Sequence, residues 1–313
     1  MSSFKYSSPG KIILFGEHAV VYGEPAIATA ISKRTFMKCD FRPSSRTVIN
    51  LVDNGSFFSF NPKQGSDKMS QRTKMLYSAF RNFPDNHALD IEIKSDFPTG
   101  MGMGSSASFC SLIATAGLRT SRTKREITKD AIFEETKRLE NYFHYNGSGL
   151  DPATVVYGGV IKMERRRIVS TKSFGSEKIP LLIVDSMIER STYESVKHVA
   201  ELLKDSGAIY QPIIRSLGGI SKNFYDSNEP KSCLLRRYFP LAQRLLECLD
   251  LSNSAIDRIV RIAKENGLCA KISGAGMGGI VLVSGSDIRR KGDLFKPFRV
   301  ISAEIGAEGI REE

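Results

Sequence analysis

The chain has 313 residues and a formal net charge of +11, with ordinary globular proportions of hydrophobic (41%) and charged (25%) residues. Its length exceeds what one hydrophobic core usually serves, so two domains are expected. No apolar run is long enough to cross a bilayer, and the N-terminus lacks the basic head and apolar core of a signal peptide. These features predict a cytoplasmic protein without a membrane partner.

The positive charge lies in short runs, such as "ERRRIV" at 164–169 and "RRK" at 289–291, without interleaved aromatic residues or a nucleic-acid module signature. A solvated basic surface explains it best, an anionic ligand comes next, and no nucleic-acid partner is expected. The five cysteines are odd in number and form no CxxC pair. They are therefore predicted to be reduced thiols, mostly buried, that form no zinc site.

The first half of the chain contains short segments rich in β-branched and aromatic residues, which predict strands: "KIILFGE", "PAIATAI", "RTFMKCDF", "RTVINLV", "SFFSF" and "ALDIEIKSD". Helical patterns begin at Ser105 and again over 127–145. Two more strands, "GGVIKMERR" and "KIPLLIVDS", precede a mainly helical stretch from "STYESVKHVAELL" to "AIDRIVRIAKEN", and "AKISGAGMGGIVLVSG" and "RVISAEIG" return to strand. The lack of a steady βαβα rhythm favours an α+β fold, with a domain boundary near 170–180.

The stretch "FPTGMGMGSSASFCSLIATAG" at 97–117 places three alternating glycines and two serines at the start of a helix. Glycines allow positive φ and close approach to a ligand, and the helix start presents free N–H groups to an anion. Ser105 and Ser106 add hydroxyls that could cap the helix, bind phosphate or ligate a hard cation. By itself the stretch is explained equally well by a glycine-rich turn with a serine N-cap, and the P-loop pattern GxxxxGK[ST] is absent.

Two ionisable residues are predicted to be buried. Lys11 precedes four apolar residues, which indicates a buried strand and a lysine that needs a partner; a surface lysine is the alternative. Glu140 falls on the apolar face of the helix predicted over 127–145. A carboxylate there is costly unless a cation or hydrogen-bond donors meet it, so a ligand is favoured over a glutamate whose head reaches water. The face is formed by Ile132, Phe133, Thr136, Leu139 and Phe143.

Three motifs, at 8–31, 98–106 and 271–283, resemble the GHMP kinases in order and spacing over essentially the whole chain. "GEHAVVYG" is similar to the members that phosphorylate mevalonate, whereas galactokinases tend to have "GEHTDYxGG" and phosphomevalonate kinases "GEYAV". "SGLDPATVVYGG" likewise resembles the "SGxDxxxxxxGG" segment of those members. The resemblance implies an N-terminal domain over 1–175 like the second domain of ribosomal protein S5. It also implies a ferredoxin-like C-terminal domain over 176–313, with ATP between the two.

The resemblance further implies an ATP- and Mg²⁺-dependent kinase of isoprenoid biosynthesis that converts mevalonate to 5-phosphomevalonate. Another small alcohol, such as phosphomevalonate or a sugar, is the alternative acceptor. Asp151 and Lys11 are implied as catalytic residues, and Ser106 and Glu140 as metal ligands. Nucleotide contacts are implied for Pro98, Gly100, Gly102, Gly104, Ser105, Ser106 and Ala107. Substrate contacts are implied for Glu17, His18, Arg190, Thr192, Gly274, Ala275 and Gly276. Many relatives are dimers, so a homodimer stays open.

A catalytically inactive ligand sensor on the same fold is a rival from another class. It is disfavoured because all four implied catalytic and metal-binding residues are present. The chain departs from the usual family pattern at Met101, Met103, Ser108, Ser273, Met277 and Ile280. These substitutions keep a small or apolar character, so we expect altered packing and retained chemistry, with Met277 standing where the family has glycine.

Overall fold

A computed structural model describes residues 3–44, 46–61, 70–84, 87–122, 126–143, 148–165, 167–173, 179–189 and 191–313. The N-terminal half contains β1 (Phe4–Phe15), β2 (Ala26–Arg42), β3 (Thr47–Leu51), β4 (Ser56–Phe60), α1 (Gln71–Ala79), β5 (Ala88–Ser95), α2 (Ser105–Arg119), α3 (Lys129–Glu140), α4 (Leu150–Tyr157), β6 (Val160–Glu164) and β7 (Arg167–Lys172). The C-terminal half contains β8 (Ile179–Asp185), α5 (Thr192–Asp226), α6 (Lys231–Glu247), α7 (Ser254–Glu265), β9 (Cys269–Ser273), β10 (Ile280–Ser284), β11 (Arg299–Ile305) and β12 (Arg311–Glu312).

The strands predicted from the sequence are present, but two of them are one element. The segments at 25–31 and 34–41 join through Ser32 and Lys33 into the 17-residue strand β2. Helices α1 and α4 and strands β7 and β12 were not predicted, because each is short and its pattern is weak. Helix α3 ends at Glu140 and not at 145, and residues 144 and 145 lie outside the described part of the chain.

The twelve strands of the described residues form one sheet, whose main path runs β4-β3-β5-β2-β11-β8-β10-β9. The halves of the chain meet on β2, which pairs with β1, β5, β6 and β11. The mixture of strands and helices agrees with the predicted α+β class. The domain boundary at 175/176 stays a prediction, since it falls among residues that are not described.

Helix α2 is fixed to strand β1 by buried hydroxyl groups. Ser108 Oγ donates to the Pro9 carbonyl, and Ser111 Oγ donates to Ser8 Oγ at 2.7 Å. The helix is buried along most of its length against β1, α1 and α3. These bonds satisfy hydroxyl groups that are buried away from water. They also fix the position of α2 along β1. The N-terminus of α2 therefore has a defined position beside Lys11.

The C-terminal tail is held by the buried side chain of Arg34. Its guanidinium donates to the carbonyls of Ser7 (2.9 Å), Glu308 (2.8 Å) and Gly309 (2.8 Å). The amide of Ile310 then donates to the Val155 carbonyl in α4 at 2.9 Å. Burial lowers the pKa of Arg34 to about 10, which still leaves it cationic at neutral pH. The tail thus supports α4 from the side opposite its N-terminus.

The cysteines are all unpaired: Cys39, Cys110 and Cys269 are buried, Cys233 is half-buried and Cys248 is exposed. The prediction of mostly buried thiols is therefore confirmed. Within the described residues, no helix combines the length and the apolar character that a membrane span requires.

Two helix glycines provide a matched test of the packing behind α2. A Cβ on Gly117 would collide with the carbonyl oxygen of Ala79, whereas a Cβ on Gly219 in α5 would meet no atom within 4 Å. We expect Gly117→Ala to lower the free energy of unfolding by about 1–3 kcal/mol through overpacking. We expect Gly219→Ala to raise it by about 0.5–1 kcal/mol through helix propensity. Urea denaturation measures both, and stabilisation by both substitutions would contradict the close contact between α1 and α2.

Candidate active site

The backbone conformation of the loop before α2 explains why glycines alternate with other residues in its sequence. Gly100, Gly102 and Gly104 adopt left-handed φ values of 86°, 80° and 74°, which residues with a side chain rarely adopt. The intervening side chains of Met101 and Met103 are buried in the core that also contains β1 residues. The glycines therefore shape the backbone while the methionines anchor it. Together these two roles explain why the loop contains three glycines and two methionines, which the capping of α2 alone would not require.

The loop and strand β1 are in direct contact. The Lys11 amide donates to the Met103 carbonyl at 2.8 Å, and a Cβ on Gly104 would lie 2.5 Å from Lys11 Cγ. Gly104 is also the N-cap of α2, and no side chain in the described part of the protein caps this helix. The first N–H groups of α2, from Ser105 onwards, are thus available to an anion.

A cavity of about 570 Å³ opens beside this helix start. Three of the predicted nucleotide contacts line it, namely Pro98, Ser105 and Ser106. Its remaining lining combines apolar residues with polar and charged ones: Leu51, Ile93, Phe97, Phe109 and Phe143 are apolar, and Thr35, Asp53, Arg72, Ser95, Asp96 and Thr99 are polar or charged. Cavities of about 480 and 760 Å³ elsewhere contain none of the predicted site residues. A pocket that offers apolar side chains to a base, polar groups beside them and a helix N-terminus at one end suits a nucleotide.

Arg72, on α1, was missed by sequence analysis. Its guanidinium carbon lies 5.2 Å from the ring centroid of Phe58 and 5.8 Å from that of Phe109. Both contacts are within the range of a cation–π interaction, so the side chain is held as part of the cavity wall. Nothing in the local sequence marks it, because its partners come from β4 and α2.

The two predicted catalytic residues are in contact. Lys11 Nζ lies 2.9 Å from Asp151 Oδ1, and their side chains are 8% and 38% exposed. Asp151 is in the first turn of α4, which starts after the left-handed Gly149 and has no side-chain cap. The expectation that a buried Lys11 needs a partner is confirmed, and the partner is a carboxylate that remains open to solvent.

Glu140 is 8% exposed, as its place on the apolar face of α3 predicted. Burial raises its pKa to about 8 and the nearby charge of Asp151 adds to the rise, while Lys11 and the Ser106 hydroxyl act in the opposite direction. Ser106 Oγ is itself buried and forms no hydrogen bond of acceptable geometry with the described residues. The two predicted metal ligands, Ser106 and Glu140, therefore both have buried oxygen atoms, and Glu140 lies close to Asp151 and Lys11.

The third glycine-rich motif forms the turn between β9 and β10 and contacts the other side of the site. His18 donates from Nε2 to the Ala275 carbonyl at 2.8 Å. His18 is 5% exposed and has a left-handed φ of 59°, a strained conformation for a histidine. Predicted substrate residues Gly274, Ala275 and Gly276 thus adjoin His18.

Of the two remaining predicted substrate contacts, the structure describes Thr192. Thr192 is the first, exposed residue of α5, whose N-cap is Ser191. Arg190 lies outside the described residues.

Met277 is the departure from the family pattern with a clear backbone consequence. It adopts a φ of 58°, the left-handed conformation that the glycine typical of the family would adopt without strain. Its amide donates to the Leu251 carbonyl at 2.7 Å, and its side chain packs against the core. The turn keeps its shape at this position at the cost of local strain.

Glu17 is a predicted substrate contact, but its side chain is fully buried. Its carboxylate forms an ion pair with Lys271, and neither side chain has exposed surface. Burial raises the pKa of Glu17 and lowers that of Lys271, and the attraction between them opposes both shifts. Sequence analysis missed Lys271, although its place in the apolar strand "CAKIS" is the same signal that marked Lys11. Direct substrate contact by Glu17 stays a prediction.

Comparison with known proteins agrees with this geometry. The profile of the GHMP kinases N terminal domain matches residues 72–159, which include α2, Glu140 and Asp151. The mevalonate kinase of Archaeoglobus fulgidus is 33% identical over 310 residues, which span 98% of this chain and 99% of that protein. The chain belongs to the mevalonate kinase family of GHMP kinases. It is an ATP-dependent small-molecule kinase.

Two further relatives match this kinase over nearly the whole length of both chains. The mevalonate kinase of Thermococcus sibiricus is 28% identical, over 98% of this chain and 97% of that protein. The crystal structure of the Methanococcus jannaschii mevalonate kinase superposes with a TM-score of 0.81 at 25% identity, covering 97% of this chain and 98% of that one. The predicted GHMP kinase fold is therefore confirmed.

The raised pKa of Glu140 predicts a pH-dependent cost of folding in the metal-free, nucleotide-free protein. Between pH 4.5, the ordinary value, and about 8 the folded protein binds a proton that the unfolded chain releases, so stability falls as pH rises. We expect Glu140→Gln to raise the free energy of unfolding at pH 8 by about 2–4 kcal/mol, because the amide stays neutral. The gain should shrink on acidification and vanish near pH 4.5.

Urea denaturation across this pH range measures the difference. Glu134→Gln is the matched control, since Glu134 is on the same helix but exposed; its effect should be small at every pH. A gain from Glu140→Gln that does not change with pH would contradict the burial of an ionisable carboxyl at this position.

Proposed function

We propose that this kinase transfers the γ-phosphoryl group of ATP to the 5-hydroxyl of mevalonate, giving 5-phosphomevalonate for isoprenoid biosynthesis. The observation that carries the proposal is the contact of Lys11 with Asp151 beside the uncapped N-terminus of α2. The acceptor is supported by the motif "GEHAVVYG" and by the full-length relative from Archaeoglobus fulgidus, which is named a mevalonate kinase.

The nucleotide would lie in the cavity beside α2. Its base fits the apolar part of the cavity near Leu51 and Phe109, and its phosphates fit the loop of Gly100, Gly102 and Gly104. Backbone N–H groups from Ser105 to Ala107 and the positive end of the helix dipole favour this placement of negative charge. Pro98 lines the entrance of the same loop.

Magnesium is implied by the family, and the residues present fit it. Ser106 and Glu140 provide a hydroxyl and a carboxylate, the oxygen ligands that Mg²⁺ prefers. The hydroxyl has no hydrogen-bond partner among the described residues, and burial raises the pKa of the carboxylate, a cost that a bound cation would relieve. When bound, the ion would neutralise charge on the transferring phosphates. We propose Ser106 and Glu140 as its protein ligands.

Asp151 and Lys11 would act on the acceptor hydroxyl. Asp151 is the more exposed member of the pair, so its free carboxylate oxygen is able to accept the proton of the hydroxyl or to orient it. Lys11 keeps Asp151 in place through the 2.9 Å contact, and its ammonium would stabilise negative charge on the γ-phosphate. Positioning and charge stabilisation are the main demands of phosphoryl transfer, and both residues serve them.

The acceptor would be held by the turn between β9 and β10, by His18 and by the start of α5. Arg190 and Thr192 are proposed to bind the carboxylate of mevalonate, since an arginine pairs with a carboxylate in a bidentate manner. Glu17 would contribute through its buried pair with Lys271, which joins the turn after β1 to β9. We further propose a cytoplasmic location, consistent with the five unpaired cysteines. A homodimer stays a prediction that analytical ultracentrifugation would test.

Removal of the Asp151 carboxylate tests the catalytic assignment. We expect Asp151→Asn to lower kcat by at least about 10³-fold, because an amide neither accepts the proton nor pairs with Lys11 as an ion. The dissociation constant for ATP should stay within a few-fold of the wild-type value. Asp130→Asn is the matched control, since Asp130 is also in the first turn of a helix but is exposed. Near-normal turnover of Asp151→Asn in a coupled ADP-release assay would show that Asp151 is misassigned.

The same assay separates mevalonate from other acceptors. We expect mevalonate to give the largest kcat/KM in a panel that also contains phosphomevalonate, galactose and homoserine. Dominant turnover of another member of the panel would refute the proposed acceptor while leaving the kinase chemistry in place. ATP binding without turnover of any acceptor would favour the ligand sensor.

A further inference from the structure

Beside the third glycine-rich motif, His18 has a ring nitrogen that requires a hydrogen-bond donor. Its Nε2 lies 2.8 Å from the Ala275 carbonyl, which only accepts, so Nε2 carries the proton. Burial lowers the pKa of His18, so the ring is neutral and Nδ1 is an acceptor. Nδ1 is buried and has no hydrogen-bond partner among the residues that the structure describes.

A second imidazole, that of His198, lies on α5, the helix that contacts the third glycine-rich motif. Ser195 Oγ, in the first turns of α5, lies 3.4 Å from the carbonyl of Gly276, the residue next to Ala275. His198 follows Ser195 by three residues and therefore shares its helix face. The His198 ring is near enough that it contributes to the lowered pKa of His18. Its Nε2 is likewise buried and without a partner among the described residues.

Two buried imidazole nitrogens without partners among the described residues are costly, and the chemistry of each nitrogen restricts which group can satisfy it. His18 Nδ1 needs a donor, whereas His198 Nε2 can carry a proton and donate it. A hydroxyl group meets both needs, because its O–H donates to one ring and its oxygen accepts from the other. A carboxylate offers no proton to His18. A metal ion is disfavoured, since the described residues contain no group of three or more His, Cys, Asp or Glu suited to bind one.

We propose that His198 is a substrate-binding residue which, together with His18, binds the tertiary hydroxyl of mevalonate. This inference rests on the proposed function, in which the primary hydroxyl lies at Asp151. Mevalonate has only these two hydroxyls, so the tertiary one is left for the histidine pair. His198 would thereby select acceptors that carry a second hydroxyl at the correct distance from the phosphorylated one.

A two-by-two comparison of enzyme and substrate tests the proposal. Wild type and His198→Phe are assayed with mevalonate and with 5-hydroxy-3-methylpentanoate, which lacks the tertiary hydroxyl. We expect the wild-type kcat/KM to fall about 10–100-fold when the hydroxyl is removed, since both rings then stay unpaired. We expect His198→Phe to raise the KM for mevalonate about tenfold with kcat changed little. We also expect the kcat/KM values of this variant for the two acceptors to lie within about threefold of one another.

Two further variants separate recognition from structure. His198→Gln keeps an N–H donor and should recover part of the affinity for mevalonate. His87→Phe changes an exposed histidine at the start of β5 and should leave both acceptors unaffected. The KM for ATP should be the same in all of these proteins, because the nucleotide binds beside α2.

The outcomes are distinct. If His198→Phe lowers kcat/KM by the same factor for both acceptors, the contact with the tertiary hydroxyl is refuted and His198 has a structural role, which a lower melting temperature would accompany. If wild type and His198→Phe both discriminate the two acceptors equally, His198 is not part of the site. If the wild type does not phosphorylate mevalonate at all, the proposed function fails first and the inference fails with it.

Discussion

The site depends on where Lys11 lies. Its amide binds the Met103 carbonyl, its methylene groups fill the space that a side chain on Gly104 would need, and its ammonium pairs with Asp151. One residue of β1 therefore connects the glycine loop, the start of α2 and the start of α4. A buried ammonium demands a compensating charge, so the position of the strand and that of the aspartate are energetically coupled.

The acceptor side depends on a second connection, between the turn after β1 and the turn after β9. The buried pair of Glu17 and Lys271 joins them through the core, and the hydrogen bond from His18 to Ala275 joins them near the surface. The third motif also contacts β1 at Ile13 through Ser273, close along the strand to Lys11, which contacts the loop before α2. Both sides of the site are therefore positioned by the same part of one strand, which favours the precise alignment that phosphoryl transfer requires.

Several groups at the site are unfavourable for folding. Glu140 is a buried carboxyl with a raised pKa, Ser106 Oγ is an unsatisfied hydroxyl, and His18 has a left-handed backbone. Away from the site, buried hydroxyls of α2 are satisfied by β1, and the buried Arg34 is satisfied by the C-terminal tail. Unsatisfied or strained groups at a cleft are typical of a site whose groups are satisfied only when ligands bind.

The sequence by itself determined most of the strands, the α+β class, the glycine loop before α2, and the burial of Lys11 and Glu140, because composition and periodicity are local properties. The motifs also predicted that Asp151 is the catalytic aspartate, although its helix α4 was too short to predict. Only the tertiary structure revealed that Lys11 meets Asp151, that Glu17 pairs with Lys271, and that Arg72 lines the cavity beside α2. Each of these contacts joins residues far apart in the chain. The physical reason is that a pairing partner is selected by packing and charge in three dimensions, which no local pattern records.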